Sequence, residues 1–464
     1  LYLSLSPFLV ENCRKVYHAQ NYVNESQNID FLSLKELIGT ISIPDSREID
    51  FHQFSTWFQR YKTQAKDADS YQVFEELRGV ITGLADGRAF LSHDEYLALG
   101  PKQSLFPESS RTKIYRIFEE YRKFLDKEGL YDPNLLAFSY LGISEARYDA
   151  IVIDEVQDFT SVQILLAMKL LRKKGNFIFS GDSNQVVHPN FFSWSKIKSM
   201  FYDVDLVNGR DILRILSRNY RCASCITDLA NKLLRVKQVR FGSIDRESHY
   251  LIESLPSSKG AVSFLPQKDK VLLDLNCKTR LSSKHAVIVL DDVSKEKARR
   301  FFQTPLVFSV REAKGLEYEN VILYNIVSDN RQAFTEITTG ITPSDLLGEF
   351  VFGRNKDKSD RSAESYKFFI NGLYVALSRA MQQIYWVESD EQHPLLALLD
   401  FKVEAVMSEV TESKSSLEEW QLEARRLEQQ GRFEQADEIR RSILQNEPVP
   451  WPVRDSQLLE SWID

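Results

Sequence analysis

Ala150-Ile151-Val152-Ile153-Asp154-Glu155-Val156-Gln157-Asp158 is the stretch on which the reading of this chain turns. Its short apolar run is rich in β-branched residues, too brief for a helix and suited to a strand buried on both faces. The run ends in two adjacent carboxylates, at the C-terminal edge where open α/β sheets bind their ligands. Phosphoryl transfer from a nucleotide uses one carboxylate to hold Mg²⁺ and another to orient the attacking water. An isolated Asp-Glu pair after a strand is usually a solvated loop, so the reading rests on the surroundings.

Those surroundings repeat the design. Phe177-Ile178-Phe179-Ser180-Gly181-Asp182-Ser183-Asn184-Gln185 is again an apolar run that enters a glycine turn bearing a carboxylate and an amide. Further runs of strand character are Ile29–Leu34, Tyr148–Ile153, Ala286–Leu290, Thr304–Val310 and Asn320–Ile326. Amphipathic helical segments separate them, the alternation expected of doubly wound α/β domains. Residues 45–147 differ, with helical periodicity and almost no strand signal. Ser92-His93-Asp94-Glu95 is a capping box, and Ile114, Ile117, Phe118, Tyr121, Phe124 and Leu125 form one apolar stripe that ends at Gly129. Asp132-Pro133 supplies an N-cap and an N1 proline for the next helix. This reads as a helical insertion into the first α/β domain. The predicted division is 1–44, the insertion 45–147, the first domain resumed over 148–205, a second domain 206–400, and a helical tail 401–464.

Composition bounds the class. The 464 residues exceed one ordinary core, and 43% hydrophobic with 27% charged residues is close to the globular average. No apolar run approaches the ~20 residues of a membrane span, so no membrane partner is expected. Leu1–Val10 lacks the basic start and small-residue cleavage site of a signal peptide. Four cysteines in so long a chain indicate a reducing compartment, hence a cytoplasmic location, or nuclear in a eukaryote. A net charge of −7 confines nucleic-acid binding to a local groove. In the tail, Ser416-Leu417-Glu418-Glu419 caps a helix carrying Trp420, Ala424 and Leu427, followed by Gly431, Phe433 and Ala436. The spacing resembles one tetratricopeptide unit, which either packs on the body or joins an array.

Asn219-Tyr220-Arg221, Lys314-Gly315-Leu316-Glu317-Tyr318 and Tyr374-Val375-Ala376-Leu377-Ser378-Arg379-Ala380 complete an ordered set. From about Leu1 to Val387 the chain resembles the UvrD/Rep-type superfamily 1 helicases and their ATPase relatives. Asp154–Asp158 matches motif II, Gly181–Gln185 motif III, Asn219–Arg221 motif IV, Ser309–Tyr318 motif V and Leu373–Ala380 motif VI. The resemblance implies an α/β fold of two RecA-like P-loop NTPase-type domains that hydrolyse ATP with Mg²⁺ and step along single-stranded DNA, 3′ to 5′ in most relatives. The motifs do not separate DNA from RNA. By the same resemblance Asp154 is the Mg²⁺ ligand and Glu155 the general base, while Gln185 senses the γ-phosphate. Arg221 and Arg379 reach that phosphate from the second domain, and Glu317 contacts the nucleotide. A guanidinium suits that task because its charge spreads over several phosphate oxygens.

For the nucleic-acid strand the resemblance points to His188, Phe191, Phe192, Trp194 and Arg311. Bases stack on such aromatic rings with little regard to sequence. Equally open is a reading in which Phe191 and Phe192 are core and only Trp194 is exposed. His188 stands where a tyrosine is usual, Leu5 where motif Ia has an aromatic, and Arg311 where a histidine is commoner. No Gly-x-x-x-x-Gly-Lys-Ser/Thr occurs in the 464 residues. The chain opens where motif Ia would lie, so the expectation is a fragment, inactive alone, of an ATP-dependent helicase. Cys222-Ala223-Ser224-Cys225 lacks the second half of a zinc site and reads as the start of a helix. The rival reading is a UvrD-like switch or scaffold that docks a protein partner through its tail without unwinding.

Overall fold

The computed structural model describes the chain apart from residues 21–26, 63–67, 69, 85–86, 101–102, 174, 188–191, 193, 195–196, 199–213, 243–248, 255–259, 349–362, 402–411 and 446–464, with backbone only at 363–365. Predicted site residues His188 and Phe191 therefore lie outside the described residues.

The described strands run β1 (Tyr2–Ser4), β2 (Phe31–Ser33), β3 (Arg47–Glu48), β4 (Leu130–Tyr131), β5 (Ile151–Ile153), β6 (Phe177–Phe179), β7 (Arg218–Asn219), β8 (Glu253–Ser254), β9 (Ala261–Pro266), β10 (His285–Val289), β11 (Val307–Ser309), β12 (Tyr318–Tyr324) and β13 (Ala380–Glu388). Two parallel sheets dominate, one ordered β2-β1-β5-β6 and the other β11-β10-β12-β13-β9. The fold is mixed α/β. Each run of strand character singled out in the sequence contains or overlaps one of these strands. β9 and β13 were missed, because Gln382 and Gln383 interrupt the apolar run of β13.

In the first sheet, strands pass into helices through serine caps. Ser6 accepts from the Leu9 amide and Pro7 opens the helix Pro7–Ala19. Ser33 and Glu36 form a capping box that starts the helix Leu34–Ile41 directly at the end of β2. Such tight passages put the strand ends, and whatever polar groups follow them, along one edge of the sheet.

The inserted segment has its own aromatic core, in which Phe54, Trp57, Phe58, Phe74, Phe118 and Tyr121 are buried. Its long helix Glu108–Glu128 ends at Gly129, whose left-handed φ of 61° carries the Cβ penalty for any other residue. Asp132 caps the next helix, Pro133–Tyr140. That helix lies inside the predicted insertion, yet Ala137 and Tyr140 join the first sheet's core. Its apolar face packs there against the helices Ser161–Lys169 and Leu34–Ile41.

The tail helix Leu417–Gln429 and its antiparallel successor pack on the second sheet's helices. Trp420, Ala424, Leu427, Ala436 and Ile439 are buried in the same cluster as Phe308, Leu316 and Tyr318. Of the two arrangements open from sequence, the structure has the hairpin folded onto the body. No described helix is long and apolar enough to cross a membrane.

Candidate functional site

The carboxylates follow β5. Asp154 takes hydrogen bonds from the Tyr2 hydroxyl (2.7 Å), the Ser180 hydroxyl (2.6 Å) and the Glu155 amide (3.0 Å). Three strands, β1, β5 and β6, thus converge on one carboxylate. Glu155 adopts a left-handed backbone, φ 53°, uncommon for a residue with a side chain and of the kind found where geometry matters more than comfort. Its carboxylate accepts from Gln157. Burial raises its pKa, neighbouring Asp158 raises it further, and the Lys314 ammonium partly opposes both.

Gly181 sits where a side chain would crowd the turn and displace the Gln157 carboxamide. A Cβ there would stand 2.3 Å from the Gln157 side-chain oxygen and 3.0 Å from Val156. That close approach lets the Asp182 amide donate to Gln157 (3.1 Å) and ties the turn after β6 to the turn after β5.

Groups from the segments just before β12 and β13 reach into these turns. Lys314 donates to Asp158 (2.5 Å) and to the Gln185 carbonyl (2.9 Å). Arg379, only 3% exposed, donates to Gln185 Oε1 (3.3 Å), the Leu316 carbonyl (3.2 Å) and Ser378 (2.9 Å). Burial and the nearby Arg221 charge both lower its pKa. Asn371 reaches the Val186 carbonyl (2.8 Å), and Lys237 reaches Asn184 (2.8 Å). Arg221 is instead half exposed and paired with Glu317 at 2.7 Å. Five predicted residues, Glu155, Gln185, Arg221, Glu317 and Arg379, are therefore linked by direct bonds or by charge, with Asp154 adjoining.

A cavity of about 410 Å³ opens beside them, lined by Glu155, Asp158, Arg311, Lys314, Arg78 and Arg432 among others. Arg221, Glu317 and Arg379 are not part of its wall. The predicted residues thus divide into an arginine group and a cavity group, with Glu155 in common. Arg311 lies 3.5 Å over the ring of Tyr71 from the insertion and 3.5 Å from Asp292. Phe192 is 8% exposed and meets Trp194 edge to face at 5.2 Å, both against the first sheet's core. Phe192 is thus a core residue and Trp194 only partly covered, close to the second of the two readings open from sequence.

Sequence reasoning passed over Lys314, Asp158 and Tyr220. Tyr220 is 74% exposed beside Arg221, where the alternation of the strand would have flagged it. Lys314 and Asp158 lie 156 positions apart, and no local pattern joins them. Cys222 is buried and Cys225 lies on the helix Ser224–Phe241, as the sequence implied; among the described residues no group of three His, Cys, Asp or Glu could hold a metal.

Residues 13–195 match the model of the UvrD/REP helicase N-terminal domain. This part of the chain is similar to that domain family. Over 360 residues the chain is 25% identical to the human "TPR and ankyrin repeat-containing protein 1", covering 68% of this chain and 12% of that protein. Over 123 residues it is 26% identical to a Mycoplasma genitalium protein described as "Probable DNA helicase II homolog", covering 25% of this chain and 17% of the relative. The chain spans less than a fifth of either curated relative in these matches. The matched stretch takes in β2, β5 and β6 of the first sheet, the insertion and the turns that carry Asp154, Glu155 and Gln185.

Proposed function

We propose that this chain is the catalytic body of an ATP-dependent translocase or helicase acting on single-stranded DNA, built from two RecA-like domains. The observation that carries the reading is the meeting of opposite-sheet groups at two points, Lys314 with Asp158 and Arg379 with Gln185. Such links between separate sheets are what a nucleotide-driven closure would make and break.

Magnesium-bound ATP would supply the phosphoryl group and the cation's Lewis acidity, with Asp154 as metal ligand. The hydroxyls of Tyr2 and Ser180 fit this, because they orient the Asp154 oxygens while leaving lone pairs over. Glu155, with its pKa raised by burial, takes a proton from water. Gln185 and Arg379 form the hydrogen-bonded pair that registers the terminal phosphate. Arg221 and Glu317 hold one another at the nucleotide's rim, where the exposed Tyr220 ring is free to stack on a base. Arg311 and Trp194 belong to the strand side, Phe192 backs Trp194 from the core, and His188 and Phe191 are assigned to the strand by the resemblance alone.

A second reading, a scaffold that docks a protein through its tail, draws on Leu422 and Phe433, 65% and 60% exposed on the hairpin's outer surface. The two readings separate on strand-stimulated hydrolysis. In a longer protein that includes a phosphate-binding loop, Glu155→Gln should abolish turnover and leave nucleotide binding nearly unchanged. In the 464-residue chain, Trp194 fluorescence should be quenched by oligothymidylate. Turnover that survives Glu155→Gln refutes the base assignment, and an absence of strand binding at low salt favours the scaffold.

A further inference from the structure

We propose that the C-terminal hairpin is a working part of the nucleic-acid groove and that Arg432 is the positioning residue that holds Arg311 within it. This deepens the strand-binding reading above and rests on it. Arg311 stands on a helix of four residues, Val310–Ala313. A single turn leaves its final carbonyls without partners inside the helix and cannot hold its own geometry. The hairpin supplies the missing partners. Arg432 Nε donates to the Glu312 carbonyl at 2.8 Å, and its terminal nitrogen donates to the Arg311 carbonyl at 3.3 Å. A guanidinium at a helix C-terminus satisfies both the carbonyls and the dipole, and its planar fork reaches two acceptors at once.

The same hairpin holds the segment before and after Arg311. Gln435 donates to the Val307 carbonyl (3.3 Å) and to Glu312 (3.3 Å), the residue that boxes the helix start with Ser309. Downstream, the buried Tyr318 hydroxyl donates to Glu423 (2.8 Å), and Arg426 donates to the Glu317 carbonyl (3.1 Å). The hairpin is thus bonded to this segment at Val307, Arg311, Glu312, Glu317 and Tyr318.

A hairpin that served only to close the body would not need these bonds, since Trp420, Leu427 and Ile439 already cover the core. Half-burying the Arg432 guanidinium costs solvation that an apolar side chain would not lose. Arg432 also lines the cavity that Arg311 lines, beside Gln430. Both carboxamide heteroatoms of Gln430 are buried and have no hydrogen-bond partner among the described residues, a cost to this part of the wall.

The test uses the full 464-residue chain and a fluorescein-labelled oligothymidylate followed by anisotropy, with thermal unfolding in parallel. Arg432→Ala should weaken binding about tenfold, the scale of one lost charge-assisted contact. Arg311→Ala should weaken it similarly and lower the salt dependence by about one counterion. The deciding measurement is the double variant: if Arg432 acts through Arg311, Arg311→Ala with Arg432→Ala binds no worse than Arg311→Ala alone. Arg432→Lys, which keeps the charge and loses the fork, should fall between. Arg440→Ala, on the far side with Glu428 and Asp437, should bind as the parent does. Additive losses in the double variant, or parent-like binding by Arg432→Ala, overturn the proposal while leaving strand binding intact. If Arg432→Ala does not fold, the Arg432→Lys loss must vanish in the Arg311→Ala background, and persistence there overturns it equally. A parent chain that binds no oligonucleotide at low salt overturns the strand-binding reading and this proposal together.

Discussion

The two parallel sheets of this chain do comparable work with unequal means. Every strand of the first is three residues long, and its edge strand β6 leaves Ile178 64% exposed. The second has five strands, reaching nine residues in β13, with Trp386 and Tyr324 buried in its interior. The carboxylates hang from the slighter sheet and Arg379 from the heavier one. The slighter sheet has little packing with which to hold Asp154 and Glu155, so it depends on the side-chain bonds from Tyr2, Ser180, Gln157 and Lys314. The heavier sheet can bury a whole arginine, Arg379, and aim it. Side-chain geometry can be set by a rigid frame or by a mesh of polar bonds, and this molecule uses both.

The contrast is breakable. Trp386→Ala in β13 also removes a bond to the buried Glu388 (2.8 Å) and should cost ~3–5 kcal/mol. Ile178→Ala on the β6 edge should change stability by no more than ~0.5 kcal/mol. Urea unfolding with hydrogen exchange resolved by sheet reads both. Equal costs at the two positions would show the sheets to be equally well packed.

Histidine 285, at the start of β10, sharpens the comparison through pH. Burial lowers its pKa from 6.5 to about 4, since only the Ser282 hydroxyl faces its Nδ1, at 2.9 Å. The unfolded chain then takes up a proton that the folded chain refuses. Stability of the second sheet should fall as pH drops from 6.5 to about 4, by up to roughly 3 kcal/mol. His285→Gln should flatten that limb of the curve, and an unchanged slope would assign the acid sensitivity elsewhere.

In the first sheet the sign reverses at Glu155, whose raised pKa makes the folded chain hold the proton longer than the unfolded one. Its stability contribution is present at acid pH and is lost as pH rises through the raised value. Glu155→Gln mimics the protonated form, so it should modestly raise the first sheet's stability at neutral pH in a thermal melt. A destabilised Gln variant would mean that the carboxylate is held by its contacts rather than strained by them.

Much of this was legible along the chain. Residue order alone marks the strand before Asp154, the glycine turn at Gly181, the caps at Ser92, Asp132 and Ser416, and the helical character of most of the insertion. These are local features, and their physics acts over a few residues. The strand Ala380–Glu388 escaped because its first half is polar on a face that the helix Ser224–Phe241 and its neighbours only partly cover.

Periodicity and capping thus show from sequence that the chain is α/β and where its carboxylates stand, and the motif resemblance points to Arg221 and Arg379. Tertiary structure alone decides that Lys314 grips Asp158, that Phe192 is core, that the helix Pro133–Tyr140 serves the first sheet, and that the C-terminal hairpin grips Val307–Tyr318. Each is a meeting of residues distant in the chain, or the choice of which face an amphipathic element buries. Such choices rest on the sum of all the packing alternatives, and no short stretch of sequence carries that sum.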